Sequence, residues 1–260
     1  MKFIFSNWSD AVGHKTSSLE LAKISNFLIQ AKGFETVLFA DKGSIEHFKS
    51  VPYNEIHEIK DYEMENIPKS LWSMSKLVSM SKMNEPFLHV DFDLFLFKFD
   101  ELCLKKNIVC LHSESYFDKN IKILQKIVGI QPEKTLNSIA RSYNCGIIGG
   151  QNFEFLKKAS NEILEYVREN KSHIEEVYSN NLNNKDITIQ IMPVLVEQVW
   201  MFQLFKFYNE IFYTYLDSDS PSTHKFQNEC YIKGFIHFQK GKKVKNCEYT
   251  INQFINYFNI

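Results

Sequence analysis

At 260 residues the chain is long enough for one large domain or two small ones and for a full hydrophobic core. Lys and Arg number 30 against 31 Asp and Glu, a formal net charge of -1, and this balance excludes the basic excess of a general nucleic-acid binder. No window approaches the roughly eighteen apolar residues that cross a bilayer, and the apolar start Met1 to Phe5 is interrupted by Asn7 and Asp10. The expectation is a soluble cytoplasmic protein with no transmembrane segment, for which membrane contact would be peripheral. The cysteines Cys103, Cys110, Cys145, Cys230 and Cys247 form no C-x-x-C pair and read as reduced, mostly buried thiols.

In chain order, Lys2 to Phe5 predicts a first buried strand, closed by a polar loop from Ser6 to Asp10. Ser17 to Ala31 carries apolar residues at helical spacing and stops at Gly33. Thr36 to Ala40 predicts a second strand closed by Asp41, so the opening is strand, helix, strand, the pattern of parallel pairing with a right-handed crossover. Ile45 to Ser50 predicts a short helix and Glu55 to Ile59 an edge strand. Pro68 to Met83 predicts a helix in which Trp72 and Lys76 share a face; Lys76 and Lys82 read either as solvated or as able to reach a phosphate.

The stretch from Pro86 to Leu96 organises the chain. Apolar residues up to Val90 predict a buried strand, and Asp91-Phe92-Asp93 follows at its end. A buried strand has no ordinary use for two carboxylates, since an unpaired buried charge is expensive. In an extended segment residues i and i+2 face the same side, so Asp91 and Asp93 can share one cation, for which Mg²⁺ or Mn²⁺ suits the hard oxygen ligands.

Further on, Ile108 to His112 predicts a strand and Ile121 to Val128 a helix. Asn144-Cys145-Gly146 opens an apolar run in which Gly146 suggests a bulge or a close approach. Asn152 is placed to cap a helix from Phe153 to about Val167. Lys171 to Asp186 is polar and reads as an exposed excursion; Val194 to Phe207 reads as a strong helix carrying Glu197 and Gln198. Ile211 to Leu216 and Phe235 to Phe238 predict strands, Asp217 to Pro221 a turn, and the tail from Tyr249 an aromatic helix. No long repeat or second-domain boundary stands out.

With these residues in hand, the chain resembles the GT-A fold glycosyltransferases, and among them the family-eight type that includes glycogenin and bacterial lipopolysaccharide galactosyl- and glucosyltransferases. The likeness rests on an ordered set: Lys76, then Asp91-Phe92-Asp93, then Asn144-Cys145-Gly146, then Glu197-Gln198, then His237-Phe238 with Gly241 and Lys243 after it. It implies a three-layer α/β sandwich with a central, mostly parallel twisted sheet. It also implies one domain over the whole chain, with a nucleotide-binding half over about 1–115 and an acceptor-side half over about 116–260.

The same resemblance implies a metal held by Asp91, Asp93 and His237, with Mn²⁺ favoured by an imidazole ligand. It implies a nucleotide-sugar donor, a UDP-sugar being expected, and a glycan or lipid-linked acceptor, with retention of anomeric configuration. Lys240, Lys242 or Lys243 would add charge at the donor phosphates. Asn144 and Gln198 would line the donor sugar pocket, with Glu197 as an orienting or acceptor-side acid. Ser6, Asn7 and Asp41 would lie near the nucleobase and ribose. The C-terminal signature departs from the family, with Lys240 at a glycine position and Val244 at a proline position, and the Ser6 loop lacks the usual pattern. Two alternatives stay open: a non-catalytic sugar-nucleotide or glycan-binding module of the same fold, and a sugar-nucleotide nucleotidyltransferase, against which the single Gly13 after the first strand counts.

Overall fold

The computed structural model describes residues 1–11, 19–115, 141–180, 192–216, 233 and 235–237. Its centre is a seven-stranded sheet. The strands are β1 (Lys2–Asn7), β2 (Thr36–Ala40), β3 (Glu55–Glu58), β4 (Phe87–Val90), β6 (Ile108–Cys110), β9 (Ile147–Gly150) and β10 (Phe212–Thr214), in the order β10-β6-β9-β4-β1-β2-β3. β1 pairs in parallel with β2 and β4, β2 with β3, and β6 with β10; β9 runs antiparallel to both β4 and β6. Every strand of this sheet but β9 therefore shares one direction, and the carboxyl ends of β1, β2 and β4 open on the same edge. Two short antiparallel pairs lie outside it: β5 (Leu94–Leu96) with β11 (Phe235–His237), and β7 (Ser113–Ser115) with β8 (Arg141–Tyr143).

Strand alternation builds two cores, one on each face of the sheet. Ile4, Val37, Phe39, Phe87, Ile108, Cys110 and Ile148 pack on one side, against α3 (Met74–Lys82), α4 (Phe153–Glu169) and α6 (Trp200–Phe207). Phe3, Phe5, Leu38, Ala40, Leu88, Val90, Val109 and Ile147 pack on the other, against Ala22 and Ile29 of α1 (Leu19–Gln30) and Phe48 of α2 (Lys42–Phe48). Near-continuous apolar runs in the strands follow from this: a strand covered on both faces has no solvent side to be polar on. The layers are helix, mixed sheet, helix, the three-layer α/β arrangement expected.

Several boundaries differ from the sequence expectation. β1 runs two residues further, to Asn7, so Ser6 is a strand residue hydrogen-bonded in register rather than the start of a loop. α3 begins at Met74; residues 68–73 form turns, and Leu71 N and Met74 N donate to Pro68 O and Leu71 O. Gly146 lies in the turn before β9, not in the strand. The polar stretch after Glu169 is not an excursion up to residue 180: it forms α5 (Lys171–Asn180), a helix that buries only Ile174 and Val177. Asn152 caps α4 as expected, its Oδ1 accepting from Phe155 N at 3.3 Å. Asp217 to Pro221, the segment from Ile121 to Val128 and the tail from Tyr249 lie outside the described residues.

Gly149 stands opposite Leu88 where β9 crosses β4, and a Cβ built there meets Phe87 O at 2.1 Å and Leu88 Cα at 2.7 Å. Both are backbone atoms of a buried strand and cannot swing away. Gly149→Ala is expected to destabilise the chain by about 3 kcal/mol or more, as overpacking does in a rigid core. Chemical denaturation of the two proteins measures this; equal midpoints would mean that the strands separate freely at this point.

Candidate functional site

The site is built at the carboxyl edge of the sheet, the position where open α/β sheets bind ligands. β4 ends at Val90, and Asp91 N donates to Gly146 O at 2.9 Å, fastening the strand end to the turn before β9. Leu94 N donates back to Asp91 O at 3.1 Å. Asp91-Phe92-Asp93 is therefore a tight turn rather than the extended segment expected. Phe92 anchors it from within, stacked on Phe5 and Phe48 with ring centroids 5.4 and 4.9 Å away. The buried ring sits between two half-buried carboxylates, and Asp91 keeps a third of its side chain open to solvent, 33%.

Behind Asp91 stands Lys76. Its side chain is 7% exposed, and its ammonium reaches Asp91 Oδ1 at 2.8 Å, Glu197 Oε1 at 2.6 Å and Cys145 O at 2.8 Å. The Glu197 contact is a buried ion pair, with the two side chains 7% and 3% exposed. Burial opposes the lysine's charge, but Asp91 and Glu197 outweigh it and hold the pKa above the ordinary lysine value. Burial lifts the Glu197 carboxyl above the ordinary range, with Lys76 pulling it down and Asp91 adding to the lift. Lys76 is thus neither solvated nor open to the surface; Lys82, one and a half turns on, pairs with Glu63 at 2.6 Å.

Glu197 reaches Lys76 from a π turn, Leu195–Val199, just before α6. Such single widened turns recur at functional sites because they re-aim one or two side chains without breaking the helix. Ser73, at the start of α3, ties the same segment down by donating to Pro193 O at 2.9 Å. Gln198 is buried beside Glu197, 7% exposed. Asn144 is buried too, and its carboxamide oxygen accepts from Gly146 N at 2.8 Å, shaping the turn whose carbonyls meet Lys76 and Asp91.

Two residues join this cluster that the sequence reading did not single out. Cys145 contributes its backbone carbonyl, which no side-chain pattern announces. His89, on β4 two positions before Asp91, is 2% exposed; its Nε2 lies 2.8 Å from Ser6 Oγ. Its Nδ1 has no hydrogen-bond partner and lies 3.9 Å from Asp91 Oδ1. Burial, with Lys76 nearby, pushes its pKa down to about 3, so the ring is neutral. The signal was present, since strand alternation puts residue 89 on the side of residue 91.

Ser6 thus touches the cluster through His89. Asn7 and Asp41 form a neighbouring network: Asn7 Nδ2 donates to Ser44 Oγ at 2.7 Å, Ser44 Oγ donates to Asp41 Oδ1, and Ser9 N and Oγ donate to Asp41 as well. Asp41 therefore ties the loop after β1 to the start of α2. Beside it a cleft of about 640 Å³ opens between Trp8, Asp10, Asp41, Asp61 and Lys69. The side chain of His237 is outside the described set, but the register of β11 sets His237 opposite Leu94, the residue after Asp93. Lys240, Lys242 and Lys243 lie outside the described residues. Among the described residues no group of three or more His, Cys, Asp and Glu side chains is close enough to hold a metal, and no helix is long and apolar enough to cross a membrane.

Over residues 1–258 the chain matches DUF6734, a family of unknown function, and it belongs to that family. No curated protein matches it in sequence. Among solved structures, mouse Xyloside xylosyltransferase 1 in its apo form is similar over 82% of this chain and 84% of that one, at 10% sequence identity and a TM-score of 0.40.

Removing the lysine alone would leave two buried or half-buried carboxylates facing each other. Lys76→Ala is expected to cost about 3–5 kcal/mol, the range for breaking a buried ion pair from one side. Urea denaturation checks it; a loss below about 1 kcal/mol would mean that water already reaches Glu197.

Proposed function

We propose that this member of the family is a metal-dependent glycosyltransferase with a GT-A-like fold, moving a sugar from a nucleotide-sugar donor, a UDP-sugar by expectation, to a glycan or lipid-linked acceptor. The observation that carries the reading is the Asp91-Phe92-Asp93 turn at the carboxyl end of β4, with β11 bringing the backbone of His237 to the next residue in register. Two carboxylates and an imidazole-bearing residue at one strand end are a donor set that fits Mn²⁺, or Mg²⁺ with more water. Such an ion, when bound, neutralises charge on a departing diphosphate.

The chain's own residues do the rest of the work by position. Lys76 holds Asp91 Oδ1, so the carboxylate can turn only its other oxygen outward. The Asn144 carboxamide keeps the turn before β9 in shape, and Gly146 in that turn holds the backbone of Asp91. In this reading Gln198 and the residues around Asn144 border the donor sugar. Ser6, Asn7 and Asp41 stand on the nucleoside side, next to the cleft at Trp8. Enclosed by Lys76 and only 2% exposed, Glu197 takes the orienting role in this reading.

That enclosure also favours a second reading, a non-catalytic sugar-nucleotide-binding module: the acid expected on the acceptor side is committed to an ion pair. Calorimetric titration with UDP, GDP and CDP, each with and without Mn²⁺, separates the readings from each other and from error. One nucleotide should bind in a Mn²⁺-dependent way, and Asp93→Asn should weaken it at least about tenfold while leaving the fold intact. Binding without turnover of any matching nucleotide-sugar would support the module. Nucleotide affinity unchanged by both Mn²⁺ and Asp93→Asn would end the metal assignment.

A further inference from the structure

Lys76 has more negative charge around it than it needs. Its single positive charge faces two carboxylates, Asp91 at 2.8 Å and Glu197 at 2.6 Å, besides the Cys145 carbonyl at 2.8 Å. Glu197 is closed off from solvent, whereas Asp91 opens to it. If Lys76 faced Asp91 alone, the pair would be neutral and Asp91 would have little attraction left for a second cation. With Glu197 ionised, the buried Lys76–Glu197 pair is neutral by itself, and the charge of Asp91 is left without a matching cation on the solvent side.

We infer that Glu197 is a positioning residue whose charge offsets that of Lys76, so that Lys76 orients Asp91 without discharging it and Asp91 remains able to hold a divalent cation. This rests on the proposed cation at Asp91 and Asp93 and adds what keeps that site negative. Glu197 meets the lysine from the π turn and is buried there, 3% exposed, whereas the Asp91 side chain is 33% exposed. The arrangement separates two tasks that one ion pair would set against each other, holding a carboxylate still and leaving it charged.

The inference makes a prediction about sign that a purely structural role does not share. Glu197→Gln removes one negative charge and should weaken Mn²⁺ binding about tenfold, the scale of one charge acting on a dication near a solvated surface. The double variant Lys76→Met, Glu197→Gln removes both charges, restores the balance at Asp91, and should bind Mn²⁺ within about threefold of wild type. It should also fold, because a buried ion pair replaced by groups of similar volume is generally tolerated, so the double variant carries the test even where the single one does not fold. Mn²⁺ affinity is read by calorimetry and by the loss of the free-ion electron paramagnetic resonance signal, with circular dichroism and thermal unfolding as controls. A double variant that binds Mn²⁺ as weakly as, or more weakly than, Glu197→Gln overturns the inference, as does a folded Glu197→Gln with wild-type affinity. If wild-type Mn²⁺ binding is absent, or survives Asp91→Asn, the cation reading falls and this inference falls with it. If Asp91-dependent binding stands while Glu197→Gln has no effect, only the role of Glu197 is lost.

Discussion

A lysine ammonium in the interior is the constraint around which this site is arranged. Removing such a charge from water is costly unless every direction it points in offers an acceptor. Lys76 meets that condition through the residue after β4, the turn before β9 and the π turn before α6. These segments are far apart in sequence, and none is a regular continuation of its neighbouring element. Each departs from regularity where the ammonium needs an oxygen: Asp91 in a tight turn, Cys145 in a turn shaped by the Asn144 carboxamide, Glu197 in a widened helical turn.

The rest of the fold makes that arrangement affordable. Two apolar cores, one on each face of the mixed sheet, contain the large buried side chains, and the charged cluster borders the first of them at Cys145. At roughly 25 cal/mol for each square ångström removed from water, such cores dominate stability. A buried ion cluster, by contrast, adds little over an apolar replacement. The physical reading is that the cores hold the sheet and the cluster sets the geometry at its edge. Phe92 links the two: its ring belongs to the core with Phe5 and Phe48, while the acids on either side of it belong to the edge.

What the sequence made legible was whatever has a local period or a local cap. Thr36 to Ala40 is a strand at the expected bounds because it is apolar on both faces, and α4 starts where Asn152 caps it. Helix α5 escaped notice because only Ile174 and Val177 face inward, too few to stand out as a period in a polar stretch. The start of α3 was misjudged because residues 68–73 make successive turns whose hydrogen bonds resemble a helix without continuing one. In the site, the carboxylates of Asp91 and Asp93 could be singled out from the strand that precedes them. The partnership of Lys76 with Glu197 could not, since it joins residues more than a hundred positions apart and depends on a π turn that no periodicity marks.

His89 sharpens the physical picture of the edge. Its Nδ1 is buried without a partner and 3.9 Å from Asp91 Oδ1, while Nε2 is 2.8 Å from Ser6 Oγ. A neutral imidazole carries one N–H, and the tautomer is set by its neighbours. A carboxylate oxygen facing Nδ1 favours the proton there, which leaves Nε2 to accept from the Ser6 hydroxyl. Ser6 and His89 are then joined by a hydrogen bond across β1 and β4, while the 3.9 Å approach of His89 to Asp91 acts only through the field of the carboxylate. Lys76 and His89 both approach the same Asp91 oxygen, Oδ1, at 2.8 and 3.9 Å. The strands that bring Ser6, His89 and Asp91 to this edge are the same ones whose apolar faces make the two cores.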